Sequence, residues 1–394
     1  MRVLFLSFYF EPDLCAGSFR NTALLRELMA QVPPGSNIDV ITTLPSRYST
    51  FTVDAEPQEN LDCATIYRIS LPVHKSGMID QSKAFIHFAR EAIKIGSAEK
   101  YDFIYASSSR LMTASLGAYL SRKLRVPLYL DIRDIFVDTI KDVLPRKLAW
   151  AMKPIFSLIE KWTFNRATKV NLVSEGFKDY FKGRYPQLPL SFYTNGIDEE
   201  FLGQPISSTD TAEEQIPVVV YAGNIGEGQG LHNIIPPLAK RLEGKLRFRI
   251  IGDGGRRAQL VQSLERAAVN NVEVLSPVGR AELIEAYRAA DVLFMHLNDY
   301  EAFLKVLPSK VFEYAALGKP IWAGVAGYAA SFVSQNVDNA AVFNPCDVDG
   351  AVSAFGSLSL ATAPRNHFIE RFSRANIMKE MAADIFISVG TPKV

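Results

Sequence analysis

A chain of 394 residues is longer than one ordinary core and suits two domains. Hydrophobic residues at 48% and charged residues at 22% describe a folded soluble chain. With 43 basic against 42 acidic residues, the net charge of +1 gives no electrostatic reason to expect nucleic acid, which needs a dense basic surface, and leaves room for local basic patches. The cysteines Cys15, Cys63 and Cys346 are odd in number and far apart. They read as reduced thiols, not as a disulfide framework or a zinc site, and the histidines (His74, His87, His232, His296 and His367) are scattered without metal-ligand spacing.

The chain begins MRVLFLSFYF, with one basic residue and a short apolar run that stops at Glu11-Pro12. There is no small-residue cleavage site, so the run predicts a first buried strand and not a secretory signal. No apolar run approaches the roughly 20 residues of a bilayer span. The expected place is the cytoplasm, with peripheral contact at the inner face of the membrane left open. SFRNTALLRELMAQ follows as a helix, with Leu24, Leu25, Leu28, Met29 and Val32 as its apolar positions. IDVITTL is a second strand and Ile66–Ile69 a weaker one. DFIYASSS is a strand entering a serine-rich turn, VPLYLDIRD a strand ending in charge, and KVNLVS the last clear strand of this half. Strands that alternate with helices imply a parallel sheet covered on both faces.

Residues 203–216, GQPISSTDTAEEQI, are polar and acidic and read as a linker. The alternation then restarts with PVVVYAGNIG, LRFRIIGDGG, VEVLSPV, DVLFMHL, KPIWAGV and a weak AAVFN. The expected fold is α/β: Rossmann-like domains at 1–202 and 217–365 whose parallel sheets face a cleft, and a helical stretch at 366–394. Open sheets of this kind bind ligands beyond the C-terminal ends of their strands.

Three segments carry candidate chemistry. In FEPDLCAGSFRN, Gly17 and Ser18 fall where a helix begins. Its free N–H groups suit a phosphate, and a tight turn with a serine cap is the plainer alternative. In IIGDGGRRAQL, a Gly-rich turn (Gly252, Gly254, Gly255) precedes Arg256 and Arg257, and either arginine suits a diphosphate. LPSKVFEYAALGKPIWAG is the most specific. Pro308-Ser309 start a helix, and Lys310 and Glu313 share one face of it. A lysine adds positive charge to an already positive helix start, which is unfavourable unless an anion binds there. Glu313 suits sugar or ribose hydroxyls. The plainer reading is a surface ion pair of about 0.2–0.5 kcal/mol.

VVVYAGNIGEGQGL, RIIGDGG, ELIEAYRAADVLF and PSKVFEYAALGKPI, in this order, resemble the C-terminal half of family 4 glycosyltransferases, which have the GT-B fold. SEGFKDYF and FYTNGIDEEF resemble that family's segment between the domains. EPDLCAGSFR and LDIRDIFVD resemble the N-terminal pattern of bacterial members that build surface polysaccharides. The resemblance implies sugar transfer with retention at the anomeric carbon, from a UDP- or GDP-linked sugar, with no metal or other cofactor. It implies a hexosyl or N-acetylhexosaminyl donor and a glycan or lipid-linked acceptor. It places Glu313 on the donor ribose, Gly17 with Ser18 and Arg20 at the donor phosphate and acceptor, and Gly252 to Gly255 near the nucleotide. It also implies a last helix that returns to the first domain.

The sequence departs from this pattern. Asn224 and Gln229 stand where the family has an arginine and a lysine, Lys305 where it has a glutamate, and Arg133, before Asp134, where it has a histidine. Lys310 is therefore expected to supply the missing charge on the diphosphate, with Arg256 and the loop of Gly223, Asn224 and Gly226 as further donor contacts and Ser309 beside them. Asp131, Asp134 and Glu301 are candidate carboxylates for the oxocarbenium-like centre. Asp131 and Asp134 read equally as turn or cap residues.

Asp347-Val348-Asp349 has the form of a metal-binding D-x-D but reads better as a helix start. Residues 144–162, LPRKLAWAMKPIFSLIEKW, mix lysines with tryptophans. They are read as core packing with solvated charges, with contact to an anionic membrane as the alternative. Three other functions compete. A nucleotide-sugar epimerase needs an acid–base pair that the scattered histidines do not offer. A non-catalytic partner of an assembly complex is suggested by the lost basic pair. A dehydrogenase is disfavoured, since no G-x-G-x-x-G follows the first strand.

Overall fold

Strand β1 (Arg2–Ser7) is RVLFLS and is buried from its second residue onward. An apolar run with no polar face needs cover on both sides, and a parallel sheet between helices supplies it. In the computed structural model, β1 pairs in parallel with β2 (Asn37–Thr43) and β5 (Phe103–Ser108). The structure describes residues 1–13, 15–45, 54–72, 78–108, 111–138, 146–202 and 216–389. The expected linker lies outside them, apart from Ile216. The chain forms two compact units, Met1–Asn195 with Arg374–Val394, and Gly196–Ser373.

The first unit's sheet runs β3-β4-β2-β1-β5-β6-β7-β8. Its other strands are β3 (Gln58–Asn60), β4 (Ala64–Ile69), β6 (Leu128–Ile132), β7 (Lys169–Leu172) and β8 (Leu190–Ser191). All pairings are parallel except β3 with β4. Helices α1 (Ala16–Gln31), α2 (Met78–Gly96), α3 (Leu111–Leu124), α4 (Arg146–Arg166) and α5 (Lys178–Arg184) connect the strands. The strand order reverses between β1 and β5, so the loop into α1 sits at the point where such sheets take ligands.

Helix α1 buries Gly17, Ser18, Arg20, Asn21 and Thr22 along with its leucines. Arg20 explains much of this. Its Nε donates to Asp131 Oδ2 at 2.8 Å and its Nη2 to Oδ1 at 3.0 Å. Further donations reach the carbonyls of Thr194 at 2.6 Å and Tyr193 at 2.8 Å. Asp131 also accepts from Asn171 at 2.7 Å and Tyr105 at 3.2 Å. Arg20 and Asp131 are both fully buried. This corrects the expectation that Arg20 meets a phosphate or acceptor and that Asp131 faces a reacting sugar. Both groups are spent tying α1, β6 and β7 to the 193–194 backbone.

The second unit's sheet is wholly parallel, in the order β11-β10-β9-β12-β13-β14. Its strands are β9 (Val218–Ala222), β10 (Arg247–Ile251), β11 (Val272–Leu275), β12 (Val292–His296), β13 (Ile321–Gly324) and β14 (Ala340–Phe343). Its helices are α6 (Leu231–Arg241), α7 (Arg257–Ala267), α8 (Arg280–Arg288), α9 (Lys310–Ala316), α10 (Gly327–Asn336), α11 (Val348–Gly356) and α12 (Asn366–Phe372). Trp322 lies in the core against Phe248, Phe294 and Phe343, and its indole N–H donates to the Ala351 carbonyl at 3.1 Å. Asp347 caps α11, accepting from the Gly350 N–H at 2.9 Å, as its reading as a helix start requires.

The closing helical stretch divides between the units. α12 belongs to the second, and α13 (Arg374–Val389) belongs to the first. There Gln31 donates to the Lys379 carbonyl at 3.0 Å, and Tyr129 to Asp384 at 3.0 Å.

Removing one partner of a buried ion pair strands the other charge, at a cost of about 3–5 kcal/mol. Asp131→Ala is expected to lower the unfolding free energy of the chain by that amount, read from its urea midpoint.

Candidate active site

In the second unit the strand order reverses between β9 and β12, so the loops after these two strands bound the expected ligand position. The loop after β9, Gly223–Gly230, is held from three sides. The Gly223 N–H donates to the Ile251 carbonyl and the Ile225 N–H to the Asp253 carbonyl, both at 2.8 Å. Asn298, just past β12, donates from its backbone to the Gly228 carbonyl at 2.9 Å and from its side chain to the Glu227 carbonyl at 3.0 Å. The Gln229 carbonyl accepts from His296 Nδ1 at 2.7 Å.

His296 is buried, and its Nε2 accepts from the Cys346 N–H at 3.0 Å. That bond leaves Nε2 unprotonated, so Nδ1 carries the hydrogen and the ring is neutral. Burial lowers its pKa to about 4, against a smaller opposing pull from the Gln229 carbonyl.

The glycines of both turns answer to close contacts. Gly252 has φ 151° and Gly254 φ 153°, and a methyl group on either would strike the backbone carbonyl of Gly223 or Ile225. The neighbouring loop alone therefore accounts for glycine at both positions. Gly223, at φ 137°, faces something else: a methyl there would lie 2.5 Å from Lys310 Nζ.

Lys310 begins α9. Its ammonium rests against Gly223 and stands 5.1 Å from the centroid of the Tyr221 ring. Burial lowers its pKa, and the charge of Glu313 opposes that. Ser309 is the N-cap residue of α9, and its side chain makes no capping bond.

Glu313 is no solvated partner of a surface pair, since only 14% of its side chain is exposed and it stands 3.5 Å from Arg280 Nη1. Arg280 also bonds Asp198 and Glu200, each at 2.6 Å, and its guanidinium lies 4.7 Å from the centroid of the Phe201 ring. Arg280 was missed in the sequence, although it starts α8 as Lys310 starts α9 and breaks the same electrostatic rule.

The expected cation positions hold an amide pair. Asn224 Nδ2 donates to Gln229 Oε1 at 2.8 Å, and the Gly226 N–H donates to the same oxygen at 3.3 Å. Arg256 is ion-paired to Glu227, which also accepts from the Tyr300 hydroxyl. Burial works to raise the Glu227 pKa, but the bonds from Tyr300 and Arg256 prevail and hold it below the usual range. Glu227, Tyr300 and Asn298 gave no signal in the sequence.

In the first unit, Gly17 opens α1 directly against the Arg133 guanidinium, which occupies the space that a methyl group at 17 would take. The N-cap is Cys15 without a side-chain cap, and Ser18 lies inside the helix, so Ser18 is not the expected cap. Among the described residues, the Ser18 hydroxyl and Arg133 Nε are buried without a hydrogen-bond partner. Asp134 follows as an exposed residue.

Residues 206–373 match the family model described as Glycosyl transferases group 1. Over 101 residues the chain is 30% identical to the putative colanic acid biosynthesis glycosyl transferase WcaI of Escherichia coli (strain K12), a stretch that covers 26% of this chain and 25% of that protein. The structure is similar to that of sucrose-phosphate synthase from Thermosynechococcus elongatus, with a TM-score of 0.71, 13% identity and 99% of each chain covered. It is similar also to Anabaena Alr3699/HepE in complex with UDP-glucose, with a TM-score of 0.68, 15% identity, and 98% of this chain and 100% of that one covered. The architecture is the GT-B fold of glycosyltransferases.

Because His296 is neutral in the folded chain, acid favours the unfolded state, whose imidazole has the ordinary value of about 6.5. Stability is expected to fall as pH drops from about 6.5 to about 4 and to level off below that, a loss on the order of 3 kcal/mol from this one group. Thermal unfolding across this range checks it, and His296→Gln should flatten the slope.

Proposed function

We propose that the chain is a retaining, metal-independent glycosyltransferase. It moves a hexosyl or N-acetylhexosaminyl group from a UDP- or GDP-sugar to a glycan or lipid-linked acceptor in polysaccharide assembly. The observation that carries this reading is the Lys310 ammonium seated on side-chain-free Gly223 at the reversal of strand order, with Glu313 one helical turn along. Departure of a nucleoside diphosphate from an anomeric carbon loads negative charge onto the leaving oxygen, and a cation already in place stabilises it without reorganising. Asn224 and Gln229 carry no charge, and Arg256 is engaged by Glu227. Lys310 therefore takes the diphosphate. Glu313, oriented by Arg280, accepts the ribose hydroxyls. Gly223, Asn224, Gly226 and Ser309 line the donor position, and Gly252 and Gly254 shape it through the loop they touch.

The first unit takes the acceptor side, with Gly17, Ser18, Arg133 and Asp134 as its polar groups. The Ser18 hydroxyl and Arg133 Nε, without a partner among the described residues, support an anionic or hydroxyl-rich ligand there. The matched family model, the WcaI similarity and the UDP-glucose held by Alr3699/HepE all support a nucleotide-sugar donor. A second reading, a non-catalytic nucleotide-sugar binder, is favoured by the neutral amide pair at 224 and 229.

Calorimetric titration with UDP, GDP, ADP and dTDP in the absence of metal is expected to show selective binding of one of them. Glu313→Ala should weaken that binding about ten- to a hundredfold, as loss of hydrogen bonds to a charged group does. Lys310→Ala should reduce transfer about 10²–10³-fold with the fold intact. Full activity in both variants would refute the assignment. Donor binding without hydrolysis or transfer would favour the binder, and isomerisation of the nucleotide sugar without an acceptor would point to an epimerase.

A further inference from the structure

Helix α4 buries its one acid and leaves much of its apolar surface exposed. Its acid, Glu160, is buried and accepts from the hydroxyls of Tyr180 at 2.8 Å and Tyr185 at 3.1 Å. Thr163, also buried, is hydrogen-bonded to Ser115 of α3 at 2.9 Å. On the outside, Trp150 is 83% exposed, Leu158 70% and Ile155 51%, with Leu148 and Trp162 also exposed. Over the described part of 144–162, residues 146–162, this overturns the expectation of core packing, whereas the lysines are solvated as expected. Residues 150, 154, 158 and 162 recur every fourth position and so form one stripe. Lys147, Lys153 and Lys161 are exposed on the same helix, whose sequence holds no acid other than Glu160.

We infer that α4 is a docking surface for an anionic lipid bilayer, lying in its plane with the tryptophans and leucines entering the headgroup region. A contiguous apolar patch on an otherwise charged surface marks an interaction site. Tryptophan is suited to a boundary that is apolar on one side and wet on the other. The lysines supply the complementary charge for acidic headgroups while their methylene stems extend along the apolar stripe. A second copy fits worse, because an isologous contact would set one lysine-bearing patch against its equivalent. No helix among the described residues is long and apolar enough to cross a membrane, so the mode is surface attachment.

The test is flotation of the full chain with vesicles of phosphatidylcholine alone and with added phosphatidylglycerol, without nucleotide or sugar. Its outcome is thus independent of the transferase reading. Binding is expected to rise about a hundredfold with the anionic lipid and to fall about fivefold for each of Lys147→Gln, Lys153→Gln and Lys161→Gln. Trp150→Ser with Leu158→Ser should lose roughly tenfold or more. Unchanged circular dichroism would show that these exposed substitutions leave the fold intact. Failure of the wild-type chain to bind anionic vesicles, or equal binding by the Trp150→Ser, Leu158→Ser variant, would overturn the proposal. So would a dimer in solution that Trp150→Ser dissolves.

Discussion

The ammonium of Lys310 rests on the backbone of residue 223 only because that residue has no side chain. Gly223 in turn keeps its left-handed backbone because its N–H is bonded to the end of β10, where Gly252 leaves room for its carbonyl. Three positions far apart in sequence, 223, 252 and 310, thus make one contact that none could make alone. In the proposed transfer the fixed loop matters because a charge placed beforehand serves a developing anion better than one that must move. Asn298 and neutral His296 hold the far end of the same loop, so its geometry is set by the end of β10 on one side and by the end of β12 on the other.

The second unit's sheet was legible because its strands are short runs rich in β-branched and aromatic residues between turns, and the central ones are buried on both faces. The strands β3 and β8 were not. QEN at 58–60 is polar and pairs only along one edge, and Leu190–Ser191 spans just two residues. Neither length nor periodicity distinguishes such pieces from loop.

The site was half legible for a related reason. Lys310 stood out because a cation at a helix start is locally unfavourable, and a local conflict can be seen in a local window. Arg20 was misread because its partner Asp131 lies 111 residues away, and no spacing rule finds such a pair. Beside a glycine loop it looked like a ligand contact, whereas burial with a carboxylate makes it a core residue. The outward stripe of α4 was misread in the opposite sense. Its periodicity is plain, but which face is covered depends on α3, α5 and the tyrosines that meet Glu160.

The assignment of α13 to the first unit makes the second unit a single uninterrupted insertion, while the first is assembled from both ends of the chain. Synthesis from the N-terminus therefore completes residues 196–373 before the first unit has all its parts. Until α13 emerges, Gln31 lacks its Lys379 carbonyl, and Tyr129 and Lys169 lack the Asp384 carboxylate. The second unit can thus mature on the ribosome ahead of the unit that precedes it in sequence, and the first unit closes last.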